Sequence, residues 1–286
     1  MYLQKKKQIG ILAGLFLIAV TVWVFNFQEI SGKFLKVKFL DVGQGDAEFI
    51  EMPDKKQILI DGGPDLSILE KIGREMAFYD RYIDLVILSH PEADHLNGLI
   101  EVLKRYQIGA VITNGVIRET SQYKEFMDTI KAKRIPVYIA KSGGEIDFNE
   151  NIKIDILYPS ENLKGKILSD SNNSSIVAKL IYNNFETIFT GDIEKSVENK
   201  LVESEIDLNS DILKIAHHGS KTSTSEEFLK AVNALVAIIE VGKDNKYGHP
   251  HQEVLDRLKN LRIFQTGKDG DIEILSDGIN YRAAGS

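Results

Sequence analysis

The sequence predicts an α/β protein in which two mixed β-sheets pack face to face with helices outside. Three observations predict it. Strand-like runs outnumber helical ones along the chain. Hairpin signals and long strand–helix–strand crossovers both occur, so antiparallel and parallel strands must share sheets. One run, "IDLVILS" (Ile83 to Ser89), is apolar without alternation, the pattern of a strand buried on both faces. With 286 residues, 43% of them hydrophobic, the chain can fill such a core.

The elements follow in order. "FLKVKFLDV" and "AEFIEM" read as strands around "GQGD", and "KQILID" follows the Pro53-Asp54 turn. A helix is expected from about Leu66 to Ala77, then the buried strand, a helix from about Leu96 to Tyr106, "GAVIT", a helix over Ser121–Lys133, and "IPVYIA". The second half repeats this mixture without repeating the sequence. "IKIDILYP" is a strand, and "SIVAKLIY" and "FETIFTGD" flank Asn183-Asn184 as a hairpin. A helix near Glu194–Glu203, "DILKIA", a helix near Ser225–Val232, "ALVAIIEV", a helix near Gln252–Asn260 and two closing strands complete the chain. "RAAGS" at the end is expected to be a loose tail.

Two segments divide the chain. Residues 1–33 hold Lys5, Lys6 and Lys7 followed by a charge-free run of 19 residues, Ile9 to Phe27. At about 1.5 Å per residue the run reaches roughly 28 Å as a helix, near the thickness of a bilayer core. It is apolar all round, and its end, Val24-Phe25-Asn26-Phe27, is a poor cleavage site for a signal peptide. An uncleaved transmembrane helix is expected, with the lysines inside and residues 34–286 as one domain outside the cell membrane. Taking Lys5, Lys6, Lys7, Lys33 and Glu29 from the 35 basic and 42 acidic residues leaves 31 and 41, a formal −10 for the rest. That balance excludes a surface that coats nucleic acid, though not a nuclease whose phosphate is held by metal ions. The absence of cysteine excludes disulfides and thiolate metal sites.

All six histidines fall in three short stretches beyond strand ends: His90 and His95, His217 and His218, His249 and His251. Sites in strand–helix folds collect at such ends. "SHPEADH" packs His90, Glu92, Asp94 and His95 into a loop passing into a helix, and can offer imidazole and carboxylate to two adjacent cations. Alone it also fits an acid-rich helix start. Asp192, at the end of "FETIFTGD", and "AHHGS" add donors from two further strand ends and favour the metal.

These motifs carry a resemblance. "FLDVGQGDA", "ILIDGG", "SHPEADHLNG", "NNSSIV", "FTGDI", "LKIAHHGS" and "YGHPHQEVL" occur in the order seen in the metallo-β-lactamase-fold hydrolase domain of ComEC-type competence proteins. The resemblance implies a four-layer αββα sandwich and two divalent metal ions. His90, Asp94 and His95 would be ligands, Asp192 a bridging carboxylate, and His217 the late histidine, with His218 as the alternative. Glu92 stands where the wider pattern has a second histidine. No histidine lies between His95 and His217, so the first site is oxygen-rich, which suits Mn²⁺ or Mg²⁺, while Zn²⁺ suits the second. Asn172 or Asn173 would bind weakly or shape a phosphate pocket. Asp61 would orient a ligand histidine or simply end a strand, Asp46 would stand behind the ligands, and Gly43 and Gly45 would let the chain turn near the metals. Ser220 and Thr222 would offer hydroxyls to an anionic substrate. Lys214 and Lys221 read as surface lysines or phosphate contacts. Asp94 would also orient the nucleophile, His249 would protonate a leaving oxygen or bind phosphate, and His251 would start a helix. The implied activity is metal-assisted hydrolysis of a phosphodiester in DNA or nucleotides. The alternatives are hydrolysis of another ester, a lactone or phosphonate, and a metal-binding module without turnover.

Overall fold

Alternation along the first strand sets the interior. In the computed structural model, which describes residues 12–21, 34–168 and 170–286, β1 (Leu35–Phe39) turns Leu35, Val37 and Phe39 inward and leaves Lys36 and Lys38 half-buried on the other face. Residues 12–21 form a helix, α1, with exposed side chains. The other residues of the expected membrane run lie outside the described ones, and among the described residues no helix is long and apolar enough to cross a membrane.

The first sheet contains β1, β2 (Glu48–Glu51), β3 (Gln57–Ile60), β4 (Tyr82–Leu88), β5 (Gln107–Thr113) and β6 (Val137–Ile139), with β14 (Ile272–Ser276) and β15 (Tyr281–Gly285) returning to the far side of β1. The second contains β7 (Glu145–Asn149), β8 (Ile152–Tyr158), β9 (Val177–Tyr182), β10 (Phe185–Phe189), β11 (Ile212–Lys214), β12 (Val236–Ile239) and β13 (Arg262–Gln265) in one spatial run. Each sheet is antiparallel at one end and parallel at the other, from β3 to β6 and from β10 to β13. Parallel strands need crossovers. These are α2 (Ser67–Glu75), α3 (Ala93–Arg105) and α4 (Ser121–Lys133) on the first sheet, and α5 (Lys195–Glu203), α6 (Glu226–Val232) and α7 (Gln252–Arg257) on the second. A short α8 (Thr266–Asp269) follows β13.

Three apolar layers make this the expected two-sheet sandwich. The inner faces meet through residues such as Val37, Ile58, Ile154 and Leu180, with the Phe39 and Phe189 rings 5.9 Å apart across the gap. The outer face of the first sheet packs Leu59, Val86 and Val111 on Ile72, Leu99 and Phe126 of its helices. The second does the same with Ile188, Leu213 and Ala237 on Val197, Phe228 and Val254. Every large side chain buried in these layers contributes about 1.5–3 kcal/mol. The unbroken "IDLVILS" run follows from the layering: Leu85 and Ile87 face the partner sheet while Ile83, Val86 and Leu88 face the helices.

Two local expectations are corrected, and one strand was not foreseen. α3 starts at Ala93, ahead of Leu96, which places Asp94 and His95 in its first turn. β7 was not legible as a strand. Arg282 to Gly285, expected as a loose tail, belong to β15, because pairing with β14 and burial of Ala283 hold them.

The chain crowds where α3 meets the end of β3. A Cβ on Gly98 would lie 1.8 Å from the Gly62 carbonyl oxygen, so only glycine lets the helix start dock there. Gly73, exposed in α2, has nothing within 4 Å of such a Cβ. Gly98→Ala should therefore cost about 1–3 kcal/mol through forced displacement, whereas Gly73→Ala should gain up to about 1 kcal/mol from helix propensity. Urea unfolding of the two variants reads out the opposite signs.

Candidate metal centre

Seven strand ends and helix starts deliver polar side chains to one end of the sandwich. From the first sheet, the β1–β2 loop brings Asp46, the end of β3 brings Asp61, the end of β4 brings Ser89 and His90, and α3 brings Asp94 and His95. From the second, Asp192 follows β10, His217 and His218 follow β11, and Glu240 and the 242–251 loop follow β12. One loop bond stitches the two sets together, the Ile176 amide donating to the Ser89 carbonyl (3.0 Å), while within the second set the Asp192 amide donates to Ser175 Oγ (3.1 Å).

Donor atoms of Asp94, His95, Asp192 and His218 all lie within 4.8 Å of one another. Asp192 Oδ2 is the hub, 3.4 Å from His95 Nε2 and 3.5 Å from His218 Nε2, and the latter is 3.4 Å from Asp94 Oδ2. His90 stacks obliquely on His95 with ring centroids 4.2 Å apart. The Nε2 atoms of His90, His95 and His218 and Asp192 Oδ1 are buried without a hydrogen-bond partner. Buried polar atoms are rarely left so, and a divalent cation is the group that this nitrogen–carboxylate set fits. The cluster is compatible with a dinuclear divalent metal site.

The opposite ring nitrogens explain how the histidines are aimed. His95 Nδ1 lies 2.7 Å from Asp61 Oδ2, whose carboxylate also accepts the Ser89 amide (2.8 Å) and hydroxyl (2.5 Å). His218 Nδ1 lies 2.9 Å from the Glu240 carbonyl, and His90 Nδ1 3.0 Å from Ser89 Oγ. A histidine whose Nδ1 is held by an acceptor presents Nε2 as the free donor to a metal. Asp61, His217 and His218 adopt left-handed φ of 54°, 52° and 53°, a conformation that costs side-chain-bearing residues of order 1 kcal/mol or more and collects at functional sites.

Charge is unevenly distributed. Lys214 is wholly buried and forms an ion pair with Asp46, while its Nζ donates to the Gly191 carbonyl (3.0 Å). It joins the second sheet to the β1–β2 loop of the first. Burial would lower the Lys214 pKa, but Asp46 and Asp192 raise it above the ordinary range. The same contest governs the rings. Burial depresses them, yet Asp192 and Asp46 outweigh it, so that His95 is driven well above its usual value and His218 up to about 10. His90 falls to about 3, through burial and then the neighbouring charge on His95. Burial works against ionisation of Asp192 and is overcome by His218 and His95, leaving its pKa well below the usual carboxylate range. Glu240, whose carboxylate accepts the Ala47 amide (2.9 Å), is pushed up to about 8 by burial and then by Asp46. Glu48 is raised well above its usual value by burial and by Glu240.

Sequence reasoning and geometry part at several residues. His217, the first choice as late histidine, stands 4.0 Å from Asp192, is partly exposed, and meets Asn172 Nδ2 at 3.3 Å; His218 is the ring inside the cluster. Glu92 stands outside the four-residue cluster, on the wall of the cavity over it, pairing with Arg118 (2.7 Å) and accepting from Ser171 Oγ (2.5 Å). Lys214 is no surface lysine and faces Asp46, so it is not aimed at solvent phosphate. Asn173 caps the start of α5, accepting the Glu194 amide at 3.0 Å. Ser220 bonds Thr222 at 3.0 Å in the loop beside His217, Lys221 is exposed, and His251 is the N-cap of α7. His249 borders the cluster, its ring 6.3 Å from that of His218, with Nδ1 buried and unpartnered. Gly45 is required because a Cβ there would lie 2.2 Å from the Asp94 carbonyl oxygen. A cavity of about 320 Å³ opens over the cluster, lined also by Gln44, Asp170 and Tyr247, which the sequence reading did not single out. Glu48 and Glu240 were missed too, although acids inside the apolar runs "AEFIEM" and "VAIIEV" were the available signal.

Comparison with known proteins agrees with this geometry. The family model of the metallo-beta-lactamase superfamily matches residues 40–242. The chain is 30% identical over 258 residues to ComE operon protein 3 of Bacillus subtilis, covering 83% of this chain and 32% of that protein. It is 28% identical to Recombination protein 2 of Haemophilus influenzae, covering 95% of this chain and 33% of the relative. It thus spans about a third of the length of these curated relatives. Among solved structures, Igni18, a metallo hydrolase from the archaeon Ignicoccus hospitalis, matches with a TM-score of 0.52 at 15% identity, covering 83% of this chain and 98% of that one. At that identity the likeness establishes the fold. The ComEC-type resemblance read from the motifs therefore stands.

Two outcomes follow from the geometry. The pKa of His218, raised to about 10, and that of His95, raised well above its usual value, favour the protonated rings in metal-free protein, and metal ligands must give such protons up. Uptake of divalent metal at pH 7 should release protons, and apparent affinity should rise as pH increases toward 10, measured by titration calorimetry in buffers of different ionisation enthalpy. Asp61→Asn removes the carboxylate that aims His95 and should weaken metal affinity by about 10- to 100-fold, read by competition with a chelating dye.

Proposed function

The chain belongs to the metallo-beta-lactamase superfamily, and from that premise we propose a membrane-anchored, metal-dependent phosphodiesterase that acts on DNA or nucleotides. The observation that carries it is the convergence of Asp94, His95, Asp192 and His218 within 4.8 Å, with three unpartnered imidazole nitrogens aimed inward. Asp94, His95 and His218 would hold one ion. His90 would begin the other position, and Asp192 would serve both. No histidine lies between His95 and His217, so the position at His90 keeps few nitrogen donors and suits Mn²⁺ or Mg²⁺, while Zn²⁺ suits the position at His95. When bound, such a pair supplies Lewis acidity, lowering the pKa of an attacking water and drawing negative charge from a phosphoryl centre.

The remaining steps belong to side chains. Asp94, on the rim of the cavity, orients the nucleophile. His249 has its pKa held at about 4 by burial and by the charges of His218 and His217. It is therefore neutral at pH 7 and offers a hydrogen bond to a phosphate oxygen. A bound anion raises its pKa toward the range in which it can protonate the departing oxygen. Asn172 lines the same cavity and would supply a donor to another phosphate oxygen, with the hydroxyls of Ser220 and Thr222 beside His217 next to it. Substrate class rests on likeness to proteins named for competence and recombination. The anchor rests on the 19-residue charge-free run after Lys5–Lys7, of which residues 12–21 are helical; with those lysines inside, the domain would lie outside the cell.

The full chain in detergent, loaded with Mn²⁺, should hydrolyse bis-p-nitrophenyl phosphate and DNA. His90→Ala and Asp192→Asn should reduce turnover to background, and His249→Gln should lower kcat by about 10²- to 10⁴-fold. Cleavage of lactones or phosphonates without phosphodiesters would replace the substrate assignment. Metal binding without turnover of any ester would make the domain a binding module.

A further inference from the structure

The end of the sandwich opposite the metal centre carries the most exposed aromatic side chains of the domain. Strand direction defines that end. β4 begins at Tyr82 and delivers His90 after its last residue; β1 begins beside Phe34 and leads toward Asp46. β14 runs against β1, pairing Ser276 with Leu35, so the turn at 277–280 lies beside Phe34. Seven residues of β4 put the two ends roughly 20 Å apart.

At this far end Phe78 is 88% exposed and Tyr79 77%, their rings in edge contact at 5.2 Å, and Ile279 is 71% exposed. Tyr82 and Phe34 are exposed to lesser degrees. Phe34, Ala77, Tyr79, Leu275 and Tyr281 line a cavity of about 1130 Å³ that opens there. Single exposed apolar residues mean little, but the adjoining Phe78 and Tyr79 rings, with Ile279 exposed at the same end of the sandwich, together offer a contact surface. Amphipathic rings are the side chains that favour a membrane–water interface. Three basic and four acidic side chains also line the cavity, so the surface has no excess charge with which to attract a polyanion or an anionic lipid.

The occupant is indicated by where the chain enters. Phe34, the first residue of the domain, is on the rim of this cavity. Twelve residues, 22–33, join it to the apolar helix α1, a reach of at most about 40 Å even if fully extended. We propose that this end rests on the lipid surface, with Phe78, Tyr79 and Ile279 inserted among the headgroups, so that the metal centre faces away from the bilayer and takes substrate from the aqueous side. The proposal rests on the anchored reading given above, and it adds an orientation which that reading does not require.

The absence of native cysteine permits the test. Full chains carrying Phe78→Cys, Ile279→Cys or, at the metal-centre end, the exposed Lys243→Cys are labelled with a polarity-sensitive fluorophore and reconstituted into phosphatidylcholine vesicles. The expected result is blue-shifted emission and quenching by lipid-borne nitroxide at positions 78 and 279, neither at 243, and both insensitive to salt. Flotation with the vesicles but equal, water-like emission at all three positions would overturn the orientation and leave the anchor standing. Failure to float would remove the anchor and the orientation together. Shielding of position 78 in detergent that grows with protein concentration would assign the surface to a second copy of the chain and overturn the lipid contact.

Discussion

The structure depends on how buried negative charge is balanced. Asp46, Asp61 and Asp192 lie within the interior at one end of the sandwich, with Glu48 and Glu240 behind them. Desolvating one carboxylate costs several kcal/mol unless a cation or donors compensate. Lys214 is the one buried lysine described at this end, and it is committed to Asp46. What is left unbalanced shifts the available groups: the pKa values of His95 and His218 rise, and so do those of Glu48 and Glu240. Divalent ions relieve the same imbalance while satisfying the unpartnered nitrogens. The charge and the orphaned atoms thus point to one solution, reached from independent observations.

Both sheets are needed to build this arrangement. Asp61, His90, Asp94 and His95 come from the first sheet, Asp192 and His218 from the second. Packing of the two inner faces, anchored by contacts such as Phe39 on Phe189, therefore fixes the distance between the halves of the centre. The Lys214–Asp46 pair and the Glu240–Ala47 bond cross the same junction at its polar end. Left-handed backbone at Asp61, His217 and His218 is tolerated because surrounding bonds over-determine it.

Much of this was legible in the sequence because it depends on period and position. The double-sided burial of β4 follows from an unbroken apolar run, and the placement of histidines beyond strand ends located the site. What was not legible depends on backbone angle or distant partners. Two successive left-handed residues decide which of His217 and His218 points inward, and spacing alone does not encode that twist. Glu92 is diverted by Arg118 and Ser171, 26 and 79 positions away in sequence. Lys214 was read as a surface lysine or a phosphate contact, although period-two alternation puts it on the same face as Ile212, between the sheets. The β15 tail had too little apolar character to announce its pairing.

The central claim is that these side chains bind cations as a set. Anomalous scattering from crystals soaked in Mn²⁺ tests it most directly. The account predicts peaks within roughly 2.0–2.3 Å of Asp192 and of His95, His218 and Asp94, with a further peak at His90. No peak at this end of the sandwich, or peaks ligated by His217 with His218 left out, would contradict it.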